Sequence, residues 1–259
     1  MMNDILAKIV AAKEPQLAEA KHRTPAAQLE ARIAAMGPAR DFAGAFRQPG
    51  IRVIAELKKA SPSKGLIRED FPVVELAKSL IAGGAAALSV LTEENFFLGS
   101  LGNLAKVAAF SPIPLLRKDF IFDSYQLLET RAAGGDAILL IVAMLDQPTL
   151  LRLADAAHKL GLAVLGEAHD REELRRLVDS PVDLIGVNAR SLRTFATSLD
   201  LSSELIAEVP AERLPIAESA ITGRADLDRL RAAGARGFLI GESLMRAADP
   251  AEKLRELIV

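Results

Sequence analysis

The chain has 259 residues and a mass of 27.7 kDa; half of it is apolar, a quarter is charged, and mean hydropathy is +0.21, enough for a sizeable core and incompatible with a disordered chain. Lys plus Arg number 32 against 34 acids, a net charge of −2, so no global basic field recruits nucleic acid. Cysteine is absent, which excludes disulfides, thiolate metal sites and Cys nucleophiles, and His22, His158 and His169 are too few for a His-rich metal cluster.

In chain order, the stretch to about Phe46 reads as one or two amphipathic helices broken near Pro15 and Pro25. Asp4, Lys8, Lys13 and Glu14 interrupt any signal-peptide core, and the apolar run between Asp136 and Asp146 is far too short to span a bilayer. A cytoplasmic protein without membrane contact is therefore expected. From Ile51 onward, short apolar runs recur roughly every 20–35 residues with helical segments between them, as in βα units. Eight runs begin at Ile51, Ala86, Pro114, Asp136, Leu162, Asp183, Leu214 and Gly237. Glycines in the segments 82–85, 132–136 and 232–236 stand where helices must stop before strands. Eight strand–helix units predict an α/β fold, a single (β/α)8 TIM barrel, over residues 49–259, preceded by a helical extension over 1–48. An open doubly wound sheet would carry a Gly-rich dinucleotide loop after its first strand. Neither that loop nor a P-loop occurs.

In such a barrel the active site lies at the C-terminal ends of the strands. The first run ends in Glu56-Leu57-Lys58, the third in Arg117-Lys118-Asp119, the fifth in Glu167 and the sixth in Asn188. The seventh ends in Glu218-Ser219 and the eighth in Gly241-Glu242-Ser243. Strand alternation puts Glu56, Lys58 and Lys118 on the inner face, with Arg117 and Asp119 opposite Lys118. Charges at strand ends are costly unless paired. Two lysines and three acids meeting at one rim suit general acid–base chemistry, with the lysine pKa brought toward neutrality by its surroundings. Ser219 and residues 241–243 occupy the strand-7 and strand-8 positions where barrels bind phosphate through backbone N–H groups, Gly241 allowing close approach.

Seven blocks, in order, resemble the indole-3-glycerol-phosphate synthase family of tryptophan biosynthesis: residues 54–65 (IAELKKASPSKG), 88–100, 114–126 (PLLRKDFIFDSYQ), 166–174, 185–195, 216–222 and 238–246. The resemblance covers the whole barrel. It implies a carboxy-lyase that converts 1-(2-carboxyphenylamino)-1-deoxyribulose 5-phosphate to indole-3-glycerol phosphate by ring closure, decarboxylation and dehydration, without cofactor or metal. Position by position it makes Lys118 the general acid at the substrate carbonyl, Glu167 the carboxylate of the dehydration step, and Lys58 with Glu56 the pair at the substrate carboxylate and leaving hydroxyl. Asn188 and Arg190 resemble residues that orient substrate. Ser219, Gly241 and Glu242 resemble the phosphate cradle, Glu218 and Ala220 are expected to bind substrate beside it, and Ser61 lies in a loop bordering the site. Phe96 and Phe97 either flank the anthranilate ring or anchor their loop as core residues. The implied partner is a small sugar phosphate, and a monomer or weak homodimer is expected.

The chain departs from the family pattern at Ala220, where glycine is usual, at Ala189 and Ser191, and at Gly166, where a β-branched residue is common. If position 220 has positive φ, alanine strains the phosphate cradle; Gly166 is expected to loosen its strand. A neighbouring barrel, phosphoribosylanthranilate isomerase, depends on a cysteine base that this chain lacks. A barrel that binds sugar phosphate without turnover is the other alternative. The amphipathic extension is expected to pack near the rim and raise substrate affinity.

Overall fold

The computed structural model describes residues 4–188, 190 and 197–259. Eight parallel strands close into a barrel: β1 Val53–Leu57, β2 Ala87–Leu91, β3 Leu115–Lys118, β4 Ala137–Ile141, β5 Ala163–Ala168, β6 Leu184–Asn188, β7 Pro215–Glu218 and β8 Gly237–Ile240. Each pairs with its sequence neighbours, and β8 closes on β1 through Ala55 opposite Ile240. All eight expected runs are strands.

The helices are α1 Asp4–Arg23, α2 Ala26–Ala34, α3 Val73–Ala82, α4 Leu101–Ala108, α5 Ser124–Ala132, α6 Gln147–Lys159, α7 Arg171–Val178, α8 Leu199–Ala207, α9 Arg224–Ala232, the short α10 Glu242–Arg246, and α11 Pro250–Ile258. Side-chain oxygens of Ser100, Asp123, Asp146, Asp170, Ser198 and Asp249 cap helix N-termini, which fixes where each loop ends. Among the described residues no helix is long and apolar enough to cross a membrane.

Alternation along the strands divides the core in two. Ile54, Leu116, Leu139, Leu165, Leu184, Ile216 and Leu239 fill the barrel interior. Val53, Leu88, Leu115, Ile138, Val164, Ile185 and Phe238 pack outward against the helices. Glu56, Lys118, Glu167, Asn188 and Glu218 share the parity of the inner set and stand one layer above it.

The N-terminal segment departs from expectation. α1 runs unbroken through Pro15, and the chain breaks only before Pro25. Pro15 and Ala11 lie on the exposed side, so the carbonyl that loses its partner to Pro15 faces water, while Leu6, Ile9, Lys13 and Leu17 form a continuous buried stripe. α2 packs on α5, where the Tyr125 hydroxyl donates to the carbonyls of Ala20 and Thr24. Further on, Arg40 pairs with buried Asp136 at 2.7 Å, and fully buried Phe42 and Phe46 join the interior cluster. A two-stranded hairpin, Ala60–Ser61 with Gly65–Leu66, stands in the loop after β1; the run of apolar residues there was too short to announce it.

Candidate active site

A cavity of about 520 Å³ opens at the C-terminal ends of the strands. Its walls bring together thirteen of the residues singled out above: Glu56, Lys58, Ser61, Phe97, Lys118, Glu167, Asn188, Arg190, Glu218, Ser219, Ala220, Gly241 and Glu242. A larger and more open groove, about 990 Å³, lies at the opposite end of the barrel beside Arg47, Arg231 and Arg236. Its acids, Asp183 and Glu212, are not buried, so size does not decide between the two; chemistry does.

Two ion pairs stand inside the cavity. Lys58 Nζ lies 2.6 Å from Glu56 Oε1, and Lys118 Nζ lies 3.3 Å from Glu167 Oε2. Glu56, Glu167 and Glu218 are all nearly inaccessible to water. Burial alone would lower the Lys118 pKa, but the carboxylates of Glu167, Glu218 and Glu56 outweigh it and raise it above the ordinary lysine range. This corrects the expectation of a lysine poised near neutrality: three acids surround it, and it is held as the ammonium. For Glu167, burial works upward, yet Lys118 and His169 hold the carboxyl well below its usual range. In Glu218, burial and the neighbouring Glu167 charge both push upward and outweigh Lys118, which raises this carboxyl well above its usual range and favours its neutral form. Two adjacent glutamates are thereby shifted in opposite directions.

Two glycines make room for these carboxylates. A Cβ at Gly186 would stand 2.2 Å from Glu218 Oε1, and one at Gly241 would stand 2.4 Å from Glu56 Oε1. Gly241, expected to let the backbone approach a phosphate, also leaves free the space that Glu56 Oε1 fills. Gly166 does not loosen β5. It stays in the ladder opposite Leu140 and Ile185, and a Cβ there would stand 2.4 Å from Leu177 Cδ2, so the glycine lets α7 pack closely.

At the opposite side of the mouth, the Ser219 hydroxyl donates to Asn188 Oδ1 at 2.7 Å, and Arg190 Nε reaches Ser219 Oγ at 3.5 Å. Ser219 and Ala220 both adopt left-handed backbone, φ +67° and +59°, so the alanine sits where glycine is favoured. Residues 189 and 191, the other departures, lie outside the described residues. Ser243 Oγ is buried without a hydrogen-bond partner among the described residues. The Glu242 carboxylate turns outward, 3.1 Å from Arg246 and 3.7 Å from Lys64, which leaves its backbone N–H as the group at the mouth.

The apolar side is built by Phe97, which stacks on Phe120 with ring centroids 5.9 Å apart, and by Ile5, Leu6 and Ile9 of α1. Buried Glu93 fixes this loop by accepting the backbone N–H groups of Asn95, Phe96 and Phe97. Phe96 does not line the cavity. α1 is anchored by Lys13, whose ammonium lies 2.8 Å from Asp119 in a buried network with Arg117 and Thr92. Burial works against the Asp119 charge, but Arg117 and Lys13 hold its carboxyl below the usual range. The extension thus packs at the rim, as expected.

Against this geometry the comparisons with known proteins can be set. The indole-3-glycerol phosphate synthase family pattern matches residues 6–257. The chain is 47% identical to the indole-3-glycerol phosphate synthase of Burkholderia vietnamiensis over 262 residues and 46% identical to that of Burkholderia cenocepacia over 260, covering 99% of both partners each time. The chain belongs to the indole-3-glycerol phosphate synthase family. It is a carboxy-lyase of tryptophan biosynthesis acting on a phosphate-containing small molecule. Solved structures give the same fold at low identity: a 3-hexulose-6-phosphate synthase (TM-score 0.62, 14% identical, 80% of this chain and 98% of that one) and the N-acetylmannosamine-6-phosphate 2-epimerase of Clostridium perfringens (TM-score 0.61, 14% identical, 80% and 92%).

Reasoning from the sequence missed Lys13, the α1 residues in the wall, and His169. The signal for His169 was available: it stands two residues past Glu167, on the same side of the extended chain.

Proposed function

We propose that Lys118 protonates the ketone oxygen of 1-(2-carboxyphenylamino)-1-deoxyribulose 5-phosphate while the aromatic carbon bearing the carboxylate attacks. A C–C bond forms, the ketone becomes a hydroxyl, and the ring nitrogen becomes an iminium. As the proton leaves Lys118, positive charge passes to the iminium and remains among Glu167, Glu218 and Glu56. The C–CO2 bond then breaks with its electron pair entering that iminium, which restores the aromatic ring. Finally the hydroxyl leaves as water, protonated from the Lys58–Glu56 pair, while Glu167 takes the proton from the carbon that becomes part of the indole. The iminium is the electron sink, so the scheme calls for neither cofactor nor metal.

In this reading the anthranilate lies against Phe97, Ile5, Leu6 and Ile9. The phosphate rests on Arg190, Ser219, Ser243 and the backbone of residues 219–220 and 241–243, and Asn188 orients the chain between the two ends. The supporting observation is one cavity that holds Lys118 and Lys58, each paired with a buried glutamate, between the Phe97 and Phe120 rings and the polar cluster of Asn188, Arg190, Ser219 and Ser243. We take residues 1–48 as an extension of the catalytic barrel 49–259, and place a monomer or weak homodimer in the cytoplasm.

The test is a continuous assay of indole fluorescence, which the protein does not obscure because it has no Trp. Wild type is expected to turn the substrate over, and Lys118→Ala to lose about 10²–10⁴-fold in kcat. Turnover undiminished in Lys118→Ala removes Lys118 from the role.

A further inference from the structure

We propose that His169 is a positioning residue of this site: caught as an imidazolium between Glu173 and Glu167, it aims the Glu167 carboxylate at Lys118 and keeps it ionised for proton transfer. The proposal rests on Glu167 being the proton-accepting carboxylate of the reaction above.

His169 follows the end of β5, and its ring is almost wholly buried. Nδ1 lies 3.0 Å from Glu173 Oε2, an oxygen that also accepts the His169 backbone N–H at 2.8 Å. A carboxylate oxygen only accepts, so Nδ1 carries a proton. Nε2 lies 3.2 Å from Glu167 Oε1, off the line of a hydrogen bond. A bare lone pair there would face an anion in a buried setting, whereas an N–H⁺ makes the contact attractive.

Glu167 is held at both oxygens, Oε1 by His169 and Oε2 by Lys118. Rotation of the carboxylate away from Lys118 would break the ionic contact on the other side. The charges near the ring come from β5 (Glu167) and α7 (Glu173), with Lys118 of β3 and Glu218 of β7 behind Glu167. The 3-10 turn Val142–Met144, packed on β5 and α7, is uncharged. Asp170 is turned to the backbone N–H of Glu173. Burial alone would lower the His169 pKa, but Glu167 and Glu173 outweigh it and raise it to about 10. Glu173 plays its part from the first turn of α7 and touches no wall of the cavity, so the ring connects the cavity to a residue outside it.

The experiment has two arms on the full chain. In the first, the ¹⁵N signals of the His169 ring, assigned with His169→Gln, are followed from pH 6 to 10. An imidazolium at pH 8 is expected, and a neutral ring at that pH overturns the proposal whatever the enzyme catalyses. In the second, kcat and KM are measured against pH for wild type, His169→Gln and His169→Lys. His169→Gln is expected to lose on the order of tenfold in kcat at little change in KM, because Glu167 is no longer aimed. Its acid limb is expected to move up by about 1–3 pH units, the usual effect of removing an adjacent opposite charge. His169→Lys restores a positive charge and brings the limb back toward wild type. An unmoved acid limb in folded His169→Gln overturns the proposal and leaves a histidine that only staples a loop. Absence of wild-type turnover would count against the reaction above, with the imidazole arm still deciding the charge of His169.

Discussion

Gly186→Ala separates the placement of Glu218 from the stability of the barrel. Gly186 faces inward from β6 toward Glu218 of β7, and the new methyl would stand 2.2 Å from Glu218 Oε1 and 3.2 Å from the Gly166 carbonyl oxygen. Ordinary contact begins at 3.4 Å, so the carboxyl oxygen must retreat by about 1.2 Å. Oε1 has no hydrogen-bond partner among the described residues, so little resists the retreat. The cost to stability therefore lies near the bottom of the range for overpacking, about 1 kcal/mol, or a fall in Tm of about 2–4 °C. Catalysis should respond more strongly, because Glu218 is the carboxyl shifted upward beside Glu167 and a misplacement of about 1 Å costs on the order of 10²-fold in kcat. The indole fluorescence assay gives kcat, and urea denaturation of the same preparation gives stability. A stable variant with kcat within threefold of wild type would refute the claim that this carboxyl has to stand where it does. Loss of the fold would refute the claim that it gives way.

Ala220→Gly should stabilise the protein by about 0.5–1 kcal/mol, since relief of left-handed strain of about 1–2 kcal/mol exceeds the added freedom of the unfolded chain. A urea midpoint that falls, at constant m-value, contradicts the strain. Lys13→Met leaves the Asp119 charge buried with Arg117 alone and should cost about 3 kcal/mol at pH 7, the low end for a broken buried pair. KM should rise as α1 loosens over the cavity, and an unchanged KM in the folded variant would show that α1 only covers the barrel. His169 has its pKa raised from 6.5 to about 10 in the fold, so its contribution to stability is full below pH 6.5 and is lost as pH rises toward 10. Denaturation midpoints across that window should therefore fall less steeply for His169→Gln than for wild type; parallel curves would mean the ring is not charged.

The barrel was legible because its signals are local and repeated. An inner and an outer apolar set alternate along each strand, and several helices are opened by a side-chain cap and followed by a glycine turn, as with Asp170 before α7 and Gly161 after α6. The acid–base residues were legible through strand parity, which places Glu56 and Lys118 inside and Arg117 outside. Protonation states were not legible, because Lys118 is governed by Glu167, Glu218 and Glu56, which stand 49, 100 and 62 positions away in sequence. The seat for Glu218 was hidden for the same reason: Gly186 matters only because β6 and β7 are neighbours. Pro15 misled because a proline breaks a helix when the orphaned carbonyl is buried, and whether it is buried depends on which face of α1 meets the barrel.

Three glutamates of one type, on one inner face, differ only in what stands beside them. Glu56 has Lys58, Glu167 has both Lys118 and His169, and Glu218 has no ion-pair partner among the described residues. Had all three been ionised, a substrate carrying a carboxylate and a phosphate would meet three buried anions. Placing a proton on Glu218 removes one of them, and pairing with Lys58, Lys118 and His169 balances the other two, so Arg190 sets the field at the mouth. It follows that substrate affinity is tied to the Glu218 proton: Glu218→Gln, which fixes the neutral form, should keep KM near the wild-type value at neutral pH and suppress its rise at higher pH, while Glu218→Asp should not. A KM that climbs with pH equally in Glu218→Gln and wild type would place the relevant proton elsewhere, and the uneven partnering of the three carboxylates would then concern catalysis and not recognition.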